Sequence, residues 1–405
     1  MNRVIFLDNL RYLMVLLVVV LHAAISYGKF VPWWFVKDAG SSVFFDILML
    51  TLDSFLMPML YLIAGFFAIS SFQKNGPVHF LKGKFRRLGL PILVGIPLVS
   101  PSAAYLYHYT RKADAMAVTF PEYWAAYMQQ AGDLHVGVIR SIDHFAHSHF
   151  WFMSLLLCFF VLFAGYAYQR NWHRTPEPVL SGNSMSGKSI LVILLAVGFL
   201  SAVSTFTAKM LFASPANPQP WISIGPFLMF EPERVIMYML YFGMGVVAYY
   251  KKWFTRSFIP GHPVVWPASA LVLFIGLLSV VKPLMEDFSE EKLLVFVFFR
   301  SFFCVCMLVV FTKAAASRWN DASRAGRLLA RNSYYIYMIH YLVVLFLQLA
   351  LVSWSGGSVF IKFGIVVSAS ILISFGISHY MVRPYPRQFI AGLYGIFIAV
   401  MISAS

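Results

Sequence analysis

The chain has 405 residues, of which 60% are hydrophobic and 12% charged, where a soluble domain runs near roughly 45–50% and 25%. Its mean hydropathy of +0.75 excludes a pair of soluble domains, a disordered chain and a collagen-like fibre. The net charge of +15 comes from 31 Lys+Arg against 16 Asp+Glu, and its place in short segments between apolar runs points to membrane topology rather than to nucleic acid.

Ten long apolar segments are predicted, near 10–28, 43–72, 88–109, 149–168, 189–212, 233–250, 264–283, 292–312, 332–351 and 358–382. Each reaches about the 20 residues that a helix needs to cross a bilayer. The expected fold class is therefore all-α, a polytopic membrane helical bundle. Residues 1–388 form its transmembrane domain and 389–405 a short apolar segment, interfacial or an extra span. Placing the N-terminus in the cytoplasm puts 19 basic residues on the inside and 7 on the outside. Arg3, Lys74, Arg170, Arg174, Lys251, Arg256, Arg318 and Arg383 belong to the first set, Lys37, Arg111, Lys112 and Arg140 to the second. That bias predicts both termini inside. The N-terminal segment has the layout of a signal peptide, but its Arg11 and His22 suit a retained helix better.

Arg11 and His22 are eleven residues apart, close to three helical turns, so both lie on one face about 16 Å apart along the axis. Asp8 sits within one turn of Arg11 as a partner. Ionisable groups inside a span are costly and mark functional positions by default. Asp53, in the middle of the second span, needs a buried cation, with Lys209 or Arg300 as candidates. Lys82, Lys84, Arg86 and Arg87 cluster at the cytoplasmic mouth of the third. Residues 110–148 and 213–232 are the two substantial exterior segments, and long non-membrane loops are often functional. The first carries Asp143, His144 and His147, followed by His149 at the mouth of the fourth span, but the sequence offers no sign of the outer partners that fix metal ligands, so no metal is assigned. Trp151 at the outer mouth of the fourth span is an interfacial belt residue or a stacking platform for a sugar ring. Glu231, Glu233 and Arg234 form a local ion pair or bind acceptor hydroxyls. Tyr334, Tyr337 and His340 recur every three residues as a polar stripe, which meets the Arg11/His22 face around a cavity or forms a structural seam between helices. Cys158, Cys304 and Cys306 all fall in apolar runs, and no disulfide framework is readable.

Several of these stretches resemble the membrane acyltransferase 3 family. Leu7-Asp8-Asn9-Leu10-Arg11 followed by an apolar run to His22 resembles its Arg, ten residues, His hallmark. Ala64-Gly65-Phe66-Phe67 is similar to the end of its second span, with Ala in place of Ser. The run from Phe80 to Arg87, closed by Pro91, resembles its arginine-rich approach to span three, with Gly83 replacing one arginine. His149-Phe150-Trp151-Phe152 and Ser333-Tyr334-Tyr335-Ile336-Tyr337 through His340 match two further motifs, in the family's order. Met57-Pro58-Met59 and Arg86–Pro91 look most like the branch that contains glucan biosynthesis protein C.

The resemblance implies a bacterial inner-membrane enzyme with a ten-helix core. Its implied reaction moves an acyl group, acetyl or succinyl, from cytoplasmic acyl-CoA to a carbohydrate hydroxyl of the envelope. Acyl-CoA is then a co-substrate, and no tightly bound cofactor is expected. Arginine suits bidentate phosphate binding, so Arg11, Lys82, Lys84, Arg86 and Arg87 are the donor-binding candidates. His22 is the candidate general base, since a neutral imidazole takes a proton near working pH; an acyl-histidine intermediate is the variant. His340 is a further catalytic candidate, and His149, Trp151, Tyr337 and Glu233 are the acceptor-binding candidates. A transporter or flippase whose intramembrane charges line an alternating-access path is the rival reading, and a membrane scaffold is a third. The absence of a visible internal repeat speaks against the transporter.

Overall fold

The computed structural model describes residues 4–111, 118–132, 136–139, 141–173, 185–214, 217–255, 262–321 and 323–403. Arg3, Lys112, Arg140, Arg174 and Arg256 of the charge count lie outside the described residues.

Long helices dominate: α1 (Ile5–Ile25), α2 (Val43–Phe66), α3 (Ala68–Lys84), α4 (Leu90–Arg111), α5 (Phe120–Gln129), α6 (Trp151–Gln169) and α7 (Gly187–Phe212). They continue with α8 (Pro232–Tyr250), α9 (Val265–Glu286), α10 (Glu290–Arg318), α11 (Arg324–Val352), α12 (Val359–Ile377) and α13 (Pro386–Ser403). Serine caps start several of them. The hydroxyl of Ser323 accepts from the Gly326 N–H at 2.9 Å and that of Ser289 from the Lys292 N–H at 3.2 Å, each satisfying a donor that the helix cannot. Proline has its own remedy in α4. Pro101 offers no N–H to the carbonyl of Pro97, and the Trp124 indole N–H takes that oxygen instead, at 2.7 Å. The repair binds α5 to the bundle, because a free carbonyl in hydrocarbon is expensive.

The protein is a polytopic helical membrane protein. Ten helical stretches among the described residues are long and apolar enough to cross a bilayer, with α3 and α4 counted as one stretch. They differ from the predicted ten at two places. Pro232–Tyr250 is not among them, since Glu233, Arg234 and four tyrosines lower its hydropathy. It is packed against α2 and α7 and, through Phe242, against Phe159 and Phe160 of α6, with Ile236 and Met239 left exposed. The C-terminal segment, by contrast, begins earlier than its apolar run suggests. α13 is 18 residues long and joins the ten. It lies along α4 and α5, where the Tyr394 hydroxyl donates to the Val94 carbonyl at 2.9 Å and Phe397 meets the Trp124 ring at 5.7 Å.

α1 is the hub, in contact with α2, α10, α11 and α12. α2 and α8 approach so closely that only glycine fits. A Cβ on Gly65 would fall 2.0 Å from the Phe242 carbonyl oxygen, and one on Gly245 2.0 Å from that of Leu62. Both obstacles are backbone, so the helices themselves must part to admit a methyl group. Membrane helices use small residues in this way because dispersion contacts, not water exclusion, hold them together. Gly245→Ala is expected to cost about 1–3 kcal/mol, as overpacking does, read as a fall in the thermal unfolding midpoint in detergent. An unchanged midpoint would contradict the close approach.

Outside the helices, segments of the 110–148 and 213–232 loops pair into a small antiparallel sheet. β1 (Val136–Ile139) runs beside β2 (Trp221–Ile224), and β2 beside β3 (Leu228–Phe230). Val138 lies opposite Ile222 and Ser223 opposite Met229. Gly225, with φ of 47°, makes the tight turn between β2 and β3, a left-handed conformation that glycine adopts freely.

Candidate functional site

His22 lies in the last turn of α1, half-buried, and His340 in the middle of α11, fully buried. The helices bring the two rings together, with His340 Nε2 at 3.3 Å from His22 Nδ1 and ring centroids 5.1 Å apart. Backbone acceptors decide the tautomers. His340 Nδ1 faces the carbonyls of Tyr337 at 2.7 Å and Ile336 at 3.2 Å, so it carries the hydrogen and leaves Nε2 with a lone pair. His22 Nδ1 faces the Val18 carbonyl at 2.9 Å as well as that lone pair, so it too is the N–H. His22 Nε2 is then the unprotonated nitrogen.

Around this pair is an aromatic wall. The His149 ring, 3% exposed, stacks on Tyr341 at 4.7 Å and comes within 5.5 Å of His340. The Tyr337 hydroxyl donates to the His149 carbonyl at 2.5 Å, tying the start of α6 to α11. Trp34 closes the side away from Arg11, its ring centroid 5.9 Å from His22 and 5.8 Å from Tyr341. Its indole N–H donates to Gln348 Oε1 at 2.9 Å, and Gln348 Nε2 donates in turn to the carbonyls of His22 and Ala23 at 3.2 Å. Arg111, at the end of α4, holds the same strap through the carbonyls of Pro32 at 2.8 Å and Trp34 at 2.5 Å.

At the opposite, basic end, Arg11 pairs with Asp8 at 3.0 Å and reaches the Ala330 carbonyl at 3.4 Å. One turn further along α11, Tyr334 lies under the Arg87 guanidinium at 5.1 Å and donates to the Arg87 carbonyl. Arg11 and Arg87 thus converge on one face of α11. Lys82, Arg86 and Arg87 are exposed on and after the end of α3. Lys84 is turned inward, its ammonium 3.9 Å from the Phe160 ring centroid, a cation–π contact that takes it out of the exposed set.

A match to the acyltransferase domain family covers residues 4–379. The chain belongs to this acyltransferase family. Among its relatives are the glucans biosynthesis protein C of Salmonella typhi, 24% identical over 195 residues (48% of this chain, 47% of the relative), and that of Escherichia coli strain K12, 24% identical over 249 residues (61% and 58%). The chain spans about half the length of the curated relatives it matches. No solved structure matches it.

The other predicted site residues are dispersed in the fold. Glu233 is buried between α7 and α8, paired with Lys209 and 3.6 Å from Arg234 Nε. Trp151 stacks on Tyr238 at 5.9 Å and meets Trp221 of β2 edge-on at 5.4 Å. The acid and imidazole groups of the loop before α6 part company: Asp143 pairs with His108 and accepts from the Tyr123 hydroxyl at 3.0 Å, while His144 bonds Ser141 at 2.8 Å. His147 is fully buried, and burial pushes its pKa down to about 4. Among the described residues no three His, Cys, Asp or Glu side chains gather as ligands of one ion. Tyr341, Gln348, Trp34 and Arg111 were not expected at the site. Tyr341 and Gln348 lie one and eight residues beyond His340 on the same helix, which is the one signal that points to them.

Proposed function

We propose that the protein transfers an acyl group, acetyl or succinyl, from acyl-CoA bound at the basic end to a carbohydrate hydroxyl that reaches His22 from the other. The observation that carries this reading is the His22–His340 hydrogen bond, which leaves His22 Nε2 as a base. Lys82, Arg86 and Arg87 supply exposed cations for the donor's phosphates. Arg11 lies between them and His22, and the separation along α1 suits an extended pantetheine arm. In the reaction, Nε2 takes the hydroxyl proton as the oxygen attacks the thioester carbon. The tetrahedral oxyanion then collapses, the carbon–sulfur bond breaks, and the imidazolium returns the proton to the departing thiolate. The positive charge appearing on His22 makes its Nδ1–H a stronger donor to His340 Nε2 at that moment. His340 is thereby a positioning residue rather than a group that touches substrate.

The test is free-CoA release by purified protein given acetyl-CoA or succinyl-CoA, with and without envelope glycan. Glycan-dependent release together with acylated glycan is expected with one donor. Movement of glycan across a vesicle membrane without CoA release would favour a transporter. His340→Leu removes the acceptor of the Nδ1–H. A net hydrogen bond to a charged group is worth about 1.5–3 kcal/mol, so kcat is expected to fall by about ten- to a hundredfold with KM unchanged. A rise in KM at constant kcat would assign His340 to binding instead.

A further inference from the structure

A groove of about 470 Å³ runs between α6 and α8 over the half of each helix nearest the basic end. Phe163, Met239 and Val246 line its walls, and Arg170, Trp172 and Tyr250 frame its end. Its floor includes Gly243, where an added Cβ would meet nothing within 4 Å. The groove is therefore an opening on the outer surface of the bundle, unlike the backbone-filled contacts at Gly65 and Gly245. At its mouth the Trp172 and Tyr250 rings lie 11° from parallel at 6.1 Å, and the Lys251 ammonium lies 5.2 Å from the Tyr250 ring. Arg170 is exposed, and no described acid pairs with it.

We infer that this groove is a binding site for one anionic phospholipid, with an acyl chain along Phe163, Met239 and Val246 and the phosphate at Arg170. Three features converge on that occupant. The walls are apolar and face outward from the bundle, where the neighbouring solvent is lipid. Aromatic side chains with a polar edge mark the depth of the headgroups. The cations at that end complement an anionic headgroup over a zwitterionic one, and anionic lipids are attracted to basic segments of this kind. Nothing in this argument depends on the acyl-transfer reading, and its test does not require activity.

The experiment is native mass spectrometry of the full chain, delipidated in non-ionic detergent and titrated with phosphatidylglycerol or phosphatidylcholine. The wild-type protein is expected to retain one phosphatidylglycerol in preference to phosphatidylcholine. Arg170→Gln should reduce that preference by about fivefold, the worth of one arginine beside an anionic surface, while chain binding persists. Gly243→Leu, whose Cβ has open space, places a side chain in the groove and should abolish retention of both lipids. Equal retention of the two lipids by the wild type, or an unchanged preference in Arg170→Gln, overturns the inference. So does glycerol phosphate competing as well as the lipid, which would make the site one for a soluble phosphate. Unaltered thermal midpoints of the variants exclude misfolding as the cause of a loss.

Discussion

His22→Ala is expected to lower acyl transfer by about a hundred- to ten-thousandfold, the usual worth of a positioned general base, while the bundle stays folded. The geometry argues for so large an effect. His22 donates from Nδ1 to Val18 and His340, so the ring cannot rotate without giving up both contacts, and Nε2 is held at a fixed position. His340 and His149 are fully or almost fully buried, whereas His22 is half-buried and alone of the three can meet a substrate without rearrangement. His22→Gln keeps a donor and an acceptor but has no basic nitrogen, so it should fall as far as His22→Ala. Activity near wild-type in His22→Gln would show that a hydrogen bond, not proton transfer, is what the site needs. Robust glycan-dependent CoA release by folded His22→Ala would remove His22 from the chemistry while leaving family membership untouched. The readout is CoA release beside a thermal scan of each variant.

Part of this site is legible in sequence because a helix has a fixed period. Eleven residues place Arg11 and His22 on one face of α1 whatever surrounds them, and the spacing of Tyr334, Tyr337 and His340 does the same for α11. What joins these faces is not local. His22 meets His340 across 318 residues, and Tyr337 meets His149 across 188. Trp34 and Arg111 sit at a strap and a helix end, where no periodicity marks direction, so their convergence on the site has no trace in the spacing. Charge is the least legible of all. Glu233 reads as a binding group at an exterior helix start, but Lys209 and Arg234 already engage it. The apolar run finds α8 as residues 233–250 but not the partners that its tyrosines and charges meet inside the bundle, and it clips α13, whose first turn is polar.

Asp53 shows what that hidden pairing is worth. Of its two expected partners, Arg300 pairs with it at 2.6 Å, whereas Lys209 goes to Glu233 and the unexpected Arg234 supplies the second contact at 2.8 Å. Glu231 completes the set through Arg234 Nε. Asp53, Glu231 and Glu233 therefore face Lys209, Arg234 and Arg300, three acids to three cations, and paired charges are the arrangement that low-dielectric surroundings tolerate. Asp53→Ala leaves two guanidinium groups sharing the remaining acids. Breaking a buried pair costs about 3–5 kcal/mol; the lower end applies because the Asp53 side chain keeps 32% of its surface open. Arg300→Met should cost less, since Asp53 retains Arg234. The decisive variant is Asp53→Ala with Arg300→Met, which removes one charge of each sign and should regain much of the stability lost in Asp53→Ala. Residues in one network couple in this way, whereas independent sites add. Strict additivity of the two losses in thermal unfolding would mean that the cluster is a set of separate contacts. Recovery in the double variant would instead show that charge balance, more than any single hydrogen bond, keeps α2, α8 and α10 together.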